Sequence, residues 1–118
     1  PFFFKKKEEN NWQELSLKKH TPKGNIPLGI FENTFYDEES IEINTGDRIF
    51  IYTDGLIEAA NQNMDLFGRK SLLKTLNSNS SQNLSDLKHS IALALEKHLG
   101  GTSVQDDLTL MTVEFITK

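Results

Sequence analysis

The sequence predicts an α+β domain on a mainly antiparallel sheet. Strand-like patterns gather in the first half of the chain, helical spacing takes over between residues 56 and 99, and one strand pattern closes the chain. Strands and helices do not alternate, so the βαβ repeat of a doubly wound parallel sheet is missing. A length of 118 residues suits one small domain and leaves no room for two cores.

Taken in order, Phe2-Phe3-Phe4-Lys5-Lys6 reads as a strand ending in lysines. Residues 7–11 are polar enough for a hairpin loop, and residues 12–17, from Trp12 to Leu17, alternate imperfectly and read as its second strand. Residues 18–27 hold Pro22, Gly24 and Pro27 and predict an irregular connection. Ile41 and Ile43 alternate with Glu42, and Asn44-Thr45-Gly46-Asp47 supplies turn chemistry. Arg48-Ile49-Phe50-Ile51-Tyr52-Thr53 follows, nearly all β-branched or aromatic. Apolar on both faces, it predicts a central strand covered on both sides, and the short turn makes residues 41–43 its antiparallel neighbour.

Beyond Gly55 a short helix is expected over residues 56–60, ended by Asn61-Gln62-Asn63. A second is expected over residues 68–76, with Leu72, Leu73 and Leu76 on one face. Leu84, Leu87, Ile91, Ala94, Leu95 and Leu99 then step by three and four, marking an amphipathic helix that Asn83 or Ser85 caps and Gly100-Gly101 stops. Residues 108–116 form the closing strand, with Leu108, Leu110, Val113 and Phe115 set among threonines.

Composition removes several functions. Thirteen Lys and Arg against seventeen Asp and Glu give a net charge of −4, and Lys5 to Lys7 are followed at once by Glu8 and Glu9, so no basic face for nucleic acid is expected. No apolar run reaches the roughly 18–20 residues that span a bilayer, so no direct membrane insertion is expected. Pro1-Phe2-Phe3-Phe4 is too short for a secretory apolar region. With no cysteine, disulfides and thiolate chemistry are excluded, which fits the reducing cytoplasm where the protein is expected. Any metal would be held by oxygen or imidazole.

Two acidic positions stand out. Asp54 follows the most buried-looking strand, with Gly55 after it, and Asp106-Asp107 precedes the last strand. If those strands are antiparallel neighbours, the end of one lies beside the start of the other, and the carboxylates meet at one sheet rim. Converging carboxylates need a cation or proton between them, and Mg²⁺ accepts one or two carboxylates with retained waters. Asp-Gly after a strand is also ordinary turn chemistry, and Asp-Asp before one is an ordinary exposed cap. His20, His89 and His98 are scattered; His89 and His98, nine apart, suit no shared ligand set. Trp12 and the phenylalanines fit a core.

Gly46-Asp47-Arg48-Ile49-Phe50-Ile51-Tyr52-Thr53-Asp54-Gly55-Leu56-Ile57-Glu58-Ala59 closely resembles the signature of bacterial metal-dependent protein phosphatases, in the stage II sporulation protein E and RsbU-type subgroup of the protein phosphatase 2C (PPM) superfamily. Gly24 to Ile30, with Pro27-Leu28-Gly29, Leu66-Phe67-Gly68 and Gln105-Asp106-Asp107-Leu108-Thr109-Leu110 are similar to further segments of that subgroup, in the same order. The resemblance implies a four-layer α/β/β/α sandwich. It also implies a two-metal Mg²⁺ or Mn²⁺ centre at which an activated water attacks phosphoserine or phosphothreonine without a phosphoenzyme. Asp54 and Asp106 are then metal ligands, Asp107 orients ligands or waters from behind, and Gly55 lets the backbone turn without a Cβ clash. No other catalytic residue is implied, and Thr53 and Glu58 belong to the signature without an assigned role.

The family also uses an aspartate in an Asp-x-x-Gly-x-Gly motif, which residues 1–44 lack. The expectation is therefore that residues 1–118 are the C-terminal half of one phosphatase domain, inactive alone and prone to self-association through open strand edges. The implied partner is a phosphoserine or phosphothreonine protein, such as an anti-anti-sigma-type regulator. The rival reading is a phosphatase-like binding module without catalysis.

Overall fold

The computed structural model describes residues 2–15, 29–32, 36, 38 and 40–118. Among them, four strands and three helices run in the order β1 (Phe2–Lys5), β2 (Gln13–Glu14), β3 (Arg48–Tyr52), α1 (Asp54–Ile57), α2 (Gly68–Ser78), α3 (Leu84–Leu99) and β4 (Leu110–Glu114). The sheet order is β2-β1-β3-β4 and every pairing is antiparallel. The expected α+β class with an antiparallel sheet is what the chain forms.

Register decides which side chains meet. Phe3 pairs with Phe50, and Phe50 with Thr112. Side chains alternate across a strand, so Phe3, Phe50 and Tyr52 share the face on which the helices pack. There they join Trp12, Leu56, Phe67, Leu72, Leu76, Leu87, Ile91, Leu95 and Leu99 in one buried cluster. The Phe3 and Tyr52 rings stack at 5.6 Å and Trp12 meets Phe50 edge-on at 6.4 Å. In α3, Leu87, Ile91, Leu95 and Leu99 are the buried residues, the face that the leucine spacing marks. Asn83 caps this helix, accepting from the Asp86 backbone N–H at 2.9 Å, and Gly100 ends it with φ 59°.

The opposite sheet face is partly exposed among the described residues. Phe2, Ile51 and Met111 lie in one row across β1, β3 and β4 and are 39%, 39% and 51% exposed. Beside them runs the row Phe4, Ile49 and Val113. In that row Phe4 is buried and Ile49 half-buried, so β3 is central, as its composition predicts, with its helix-facing side the more fully covered among the described residues.

Residues 41–43 correct the sequence reading, because they form no strand. Both edges of β3 are already taken, by β1 and β4, so the short Asn44–Asp47 turn has no strand edge to deliver them to. The turn instead becomes an anchor. The buried Asp47 carboxylate accepts backbone N–H bonds from Lys7 and Asn44, both 2.9 Å, and those bonds hold it below the usual carboxylate range. One residue further, Arg48 bonds Glu114 across the sheet at 2.8 Å and the Gln82 carbonyl at 2.7 Å, tying β3 to β4 and to the α2–α3 loop. Lys5, next in the same row, is buried; burial first, and then the Arg48 charge, lowers its ammonium pKa.

Other differences are of extent. Of the expected strand 12–17, β2 takes Gln13–Glu14 and residues 16 and 17 lie outside the described residues, and β4 starts at Leu110 where residue 108 was expected. The first helix is a single turn shifted to Asp54–Ile57. The expected connection 18–27, most of the Gly24–Ile30 segment and His20 lie outside the described residues.

Candidate active site

Asp54 stands where β3 ends and α1 begins, with Thr53 as the residue before the first helical turn. The β3–β4 register, Tyr52 opposite Leu110, carries the chain leaving β3 alongside the chain entering β4. Thr53 continues that pairing beyond the strands. Its backbone N–H donates to the Thr109 carbonyl at 3.0 Å, and its hydroxyl accepts from the Thr109 N–H at 3.0 Å. The same hydroxyl lies 3.4 Å from the Asp107 carbonyl oxygen. Threonine suits the position because a single Oγ1 both accepts and donates there.

Gly55 makes the closest approach. A Cβ built on it would overlap the Asp107 carbonyl oxygen and lie 3.2 Å from the Asp107 carbonyl carbon. Its φ is not in the left-handed region, so glycine is needed here for space and not for backbone conformation. The role expected for Gly55 therefore has a definite partner, the backbone just ahead of β4.

The two acidic stretches accordingly sit side by side at one rim of the sheet. Asp54, Asp106 and Asp107 are all exposed, and Asp106 Oδ1 accepts from the Asp107 N–H at 2.8 Å, which fixes the Asp106 side chain against its own loop. A cleft of about 200 Å³ opens there, lined by Gly55, Glu58, Ala60, Val104, Gln105 and Asp106. Glu58 and Gln105 had no role in the sequence reading. Only the three-residue step from Gly55 to Glu58, close to one helical turn, hints that they share a face. Behind the rim, burial pushes the Tyr52 phenol above its ordinary value, which keeps it neutral and part of the core.

His89 and His98 lie elsewhere. His98 Nε2 is 2.9 Å from the Asp65 carbonyl and its ring meets Phe67 edge-on at 5.5 Å, so it pins the loop before α2 to the end of α3. His89 lines a separate groove beside β4.

Exposed carboxylates with open space beside them are hard oxygen donors that leave room for retained waters, which suits Mg²⁺ or Mn²⁺. Among the described residues, no three His, Asp or Glu side chains are gathered closely enough to hold a metal ion.

The helix-backed antiparallel sheet has the fold of a protein phosphatase 2C-type domain. The fold superposes on the SiaA-PP2C domain of Pseudomonas aeruginosa with a TM-score of 0.57 at 22% identity, over 64% of this chain and 31% of that one. The stage II sporulation protein E family matches residues 13–116, and the chain belongs to that family. It is also 31% identical over 96 residues to Protein IcfG of Synechocystis sp. (strain ATCC 27184 / PCC 6803 / Kazusa), a match that covers 80% of this chain and 15% of the relative. The chain therefore spans a minor part of both proteins. No described helix is long and apolar enough to cross a membrane.

Proposed function

We propose that this chain forms part of a cytoplasmic, metal-dependent protein serine/threonine phosphatase acting on a phosphorylated regulator of the anti-anti-sigma type. The observation that carries the reading is the stitch of Thr53 and Gly55 against Asp107 and Thr109, which sets Asp54 and Asp106 on one rim. Asp54 and Asp106 would hold Mg²⁺ or Mn²⁺, with remaining ligands from outside the described residues, and Asp107 would steady the Asp106 loop through its backbone N–H. Bound metals would neutralise phosphoryl charge and make a water more acidic. The chain's own contribution is placement, because the Thr53 backbone and hydroxyl and the side-chain-free Gly55 fix the spacing of the two acidic stretches.

The test is phosphate release from a phosphoserine protein by the full-length protein in Mn²⁺. Asp54→Asn should lower the rate by more than the ~10–100-fold that follows loss of an outer partner of a ligand, with an unchanged circular dichroism spectrum. Rates within twofold of the parent, roughly 0.4 kcal/mol on the barrier, would remove Asp54 from the site.

A further inference from the structure

The two edges of the sheet are built differently. β2 closes one of them with two polar residues, Gln13 and Glu14, and so short a strand offers little to pair with. β4 closes the other with five residues, and among the described residues no strand lies along its outer side. Sheet edges are ordinarily blunted by lysine, proline or an inward-pointing charge. Residues 108–117 contain no lysine, arginine or proline, and their one charge, Glu114, is engaged by Arg48 at 2.8 Å. At the start of β4 an open groove of about 580 Å³ separates Leu108, Thr109 and Leu110 from Ser85, Lys88 and His89 of α3. Hydrogen bonding shows which groups of β4 point outward. The Phe115 N–H donates to the Asp47 carbonyl, and the Thr109 carbonyl accepts from the Thr53 N–H, both at 3.0 Å. Backbone groups alternate along an antiparallel strand, so residues 109, 111, 113 and 115 bond inward to β3. The N–H and C=O groups of Leu110, Thr112 and Glu114 are therefore directed at the open side.

We infer that β4 pairs antiparallel with β4 of a second copy of this chain, about a two-fold axis at Thr112. The occupant is a second copy because the edge is complementary to itself in this register. Thr112 meets Thr112 of the second copy and Leu110 meets Glu114 of the second copy, so every outward N–H faces an outward carbonyl. Each Glu114 stands opposite a leucine, and no like charges oppose one another. On the outer face Met111, 51% exposed, falls opposite Val113 of the second copy. The row of Phe2, Ile51 and Met111 then runs on into Val113, Ile49 and Phe4 of the second copy as one apolar band. A pairing shifted by one residue would set inward-bonding groups at the junction and break that band. The contact uses none of the rim carboxylates and stands apart from the catalytic reading.

The experiment is sedimentation equilibrium of the 118-residue chain, with residue-resolved amide hydrogen exchange on the same samples. The chain should dimerise. In the dimer the amides of Leu110, Thr112 and Glu114 should exchange at least about tenfold more slowly than in the dilute monomer, while those of Met111 and Val113 are protected alike in both. Thr112→Pro removes an outward N–H without touching a bond to β3, and by symmetry it does so twice; it should weaken the dimer at least about tenfold. Phe2→Ser takes apolar surface from the same sheet face two strands away from the edge, and should change the affinity less than about twofold. Thermal melting checks that each variant folds, and the exchange data on the parent chain stand whatever the variants do. The inference is overturned if the chain is still monomeric at about 1 mM, or if a dimer forms while those three amides exchange freely. It is equally overturned if they are already protected in the dilute monomer, or if Phe2→Ser disrupts the dimer as much as Thr112→Pro.

Discussion

Gly55→Ala isolates the contact on which the rim depends. The added Cβ falls roughly 1 Å inside ordinary carbon contact, and the atom it meets is the backbone carbonyl of Asp107, not the tip of a flexible side chain. Either the first turn of α1 or the chain ahead of β4 has to move, and both are held by the Thr53–Thr109 hydrogen bonds. Overpacking of this kind costs about 1–3 kcal/mol. For a domain of 118 residues that corresponds to a fall in Tm of about 3–12 °C. The effect on turnover should be larger in proportion, because the movement separates the stretches that carry Asp54 and Asp106, and about 1 Å of misplacement costs on the order of 100-fold. The assay pairs a thermal melt with Mn²⁺-dependent hydrolysis of p-nitrophenyl phosphate by the full-length protein. A variant that keeps more than half of the parent rate and melts within 1 °C of it would show that the close approach does not matter.

Asp47→Asn tests the anchor at the other end of β3. Because the folded carboxylate titrates below its unfolded value, its contribution is complete above about pH 3.9 and fades as pH falls through the lower folded value. The variant should therefore be less stable than the parent at pH 7, and the two urea midpoints should converge toward pH 3; a gap that stays constant would contradict the bonding seen at Asp47. Arg48→Met removes the bonds to Glu114 and to the Gln82 carbonyl and should cost about 1–3 kcal/mol by chemical denaturation. Glu114→Gln should cost less, since the bond to the loop carbonyl survives; equal losses would put all the weight on the ion pair.

What could be read from the residues follows from the range of the forces involved. Helix α3 was legible because its determinants are local, leucine spacing and a glycine that accepts a left-handed backbone, and of the two caps the sequence offered, Asn83 and Ser85, the structure uses Asn83. The run Arg48–Tyr52 announced a central strand through its composition. The meeting of the Asp54 and Asp106 stretches followed from a single topological assumption, antiparallel β3 and β4, which the register bears out. Residues 41–43 were misread because alternation records which side of a strand is apolar but not whether a partner edge is free. Arg48 and Asp47 gave no signal of their tethering role, since most of their partners are backbone groups that any residue type supplies, and the Glu114 carboxylate meets Arg48 only once β3 and β4 are paired. The Glu58–Gln105 side of the cleft was hidden for a similar reason, because it exists only once α1 lies against the chain ahead of β4.

Asp47 sits just before one end of β3 and Asp54 just after the other, so the intervening five-residue strand holds them about 17 Å or more apart. Acid that protonates the Asp47 carboxylate therefore loosens a turn remote from the rim, and under the proposed function a fall in rate on acidification can begin there. Circular dichroism recorded alongside the rate would reveal it, because loosening of the turn alters the backbone.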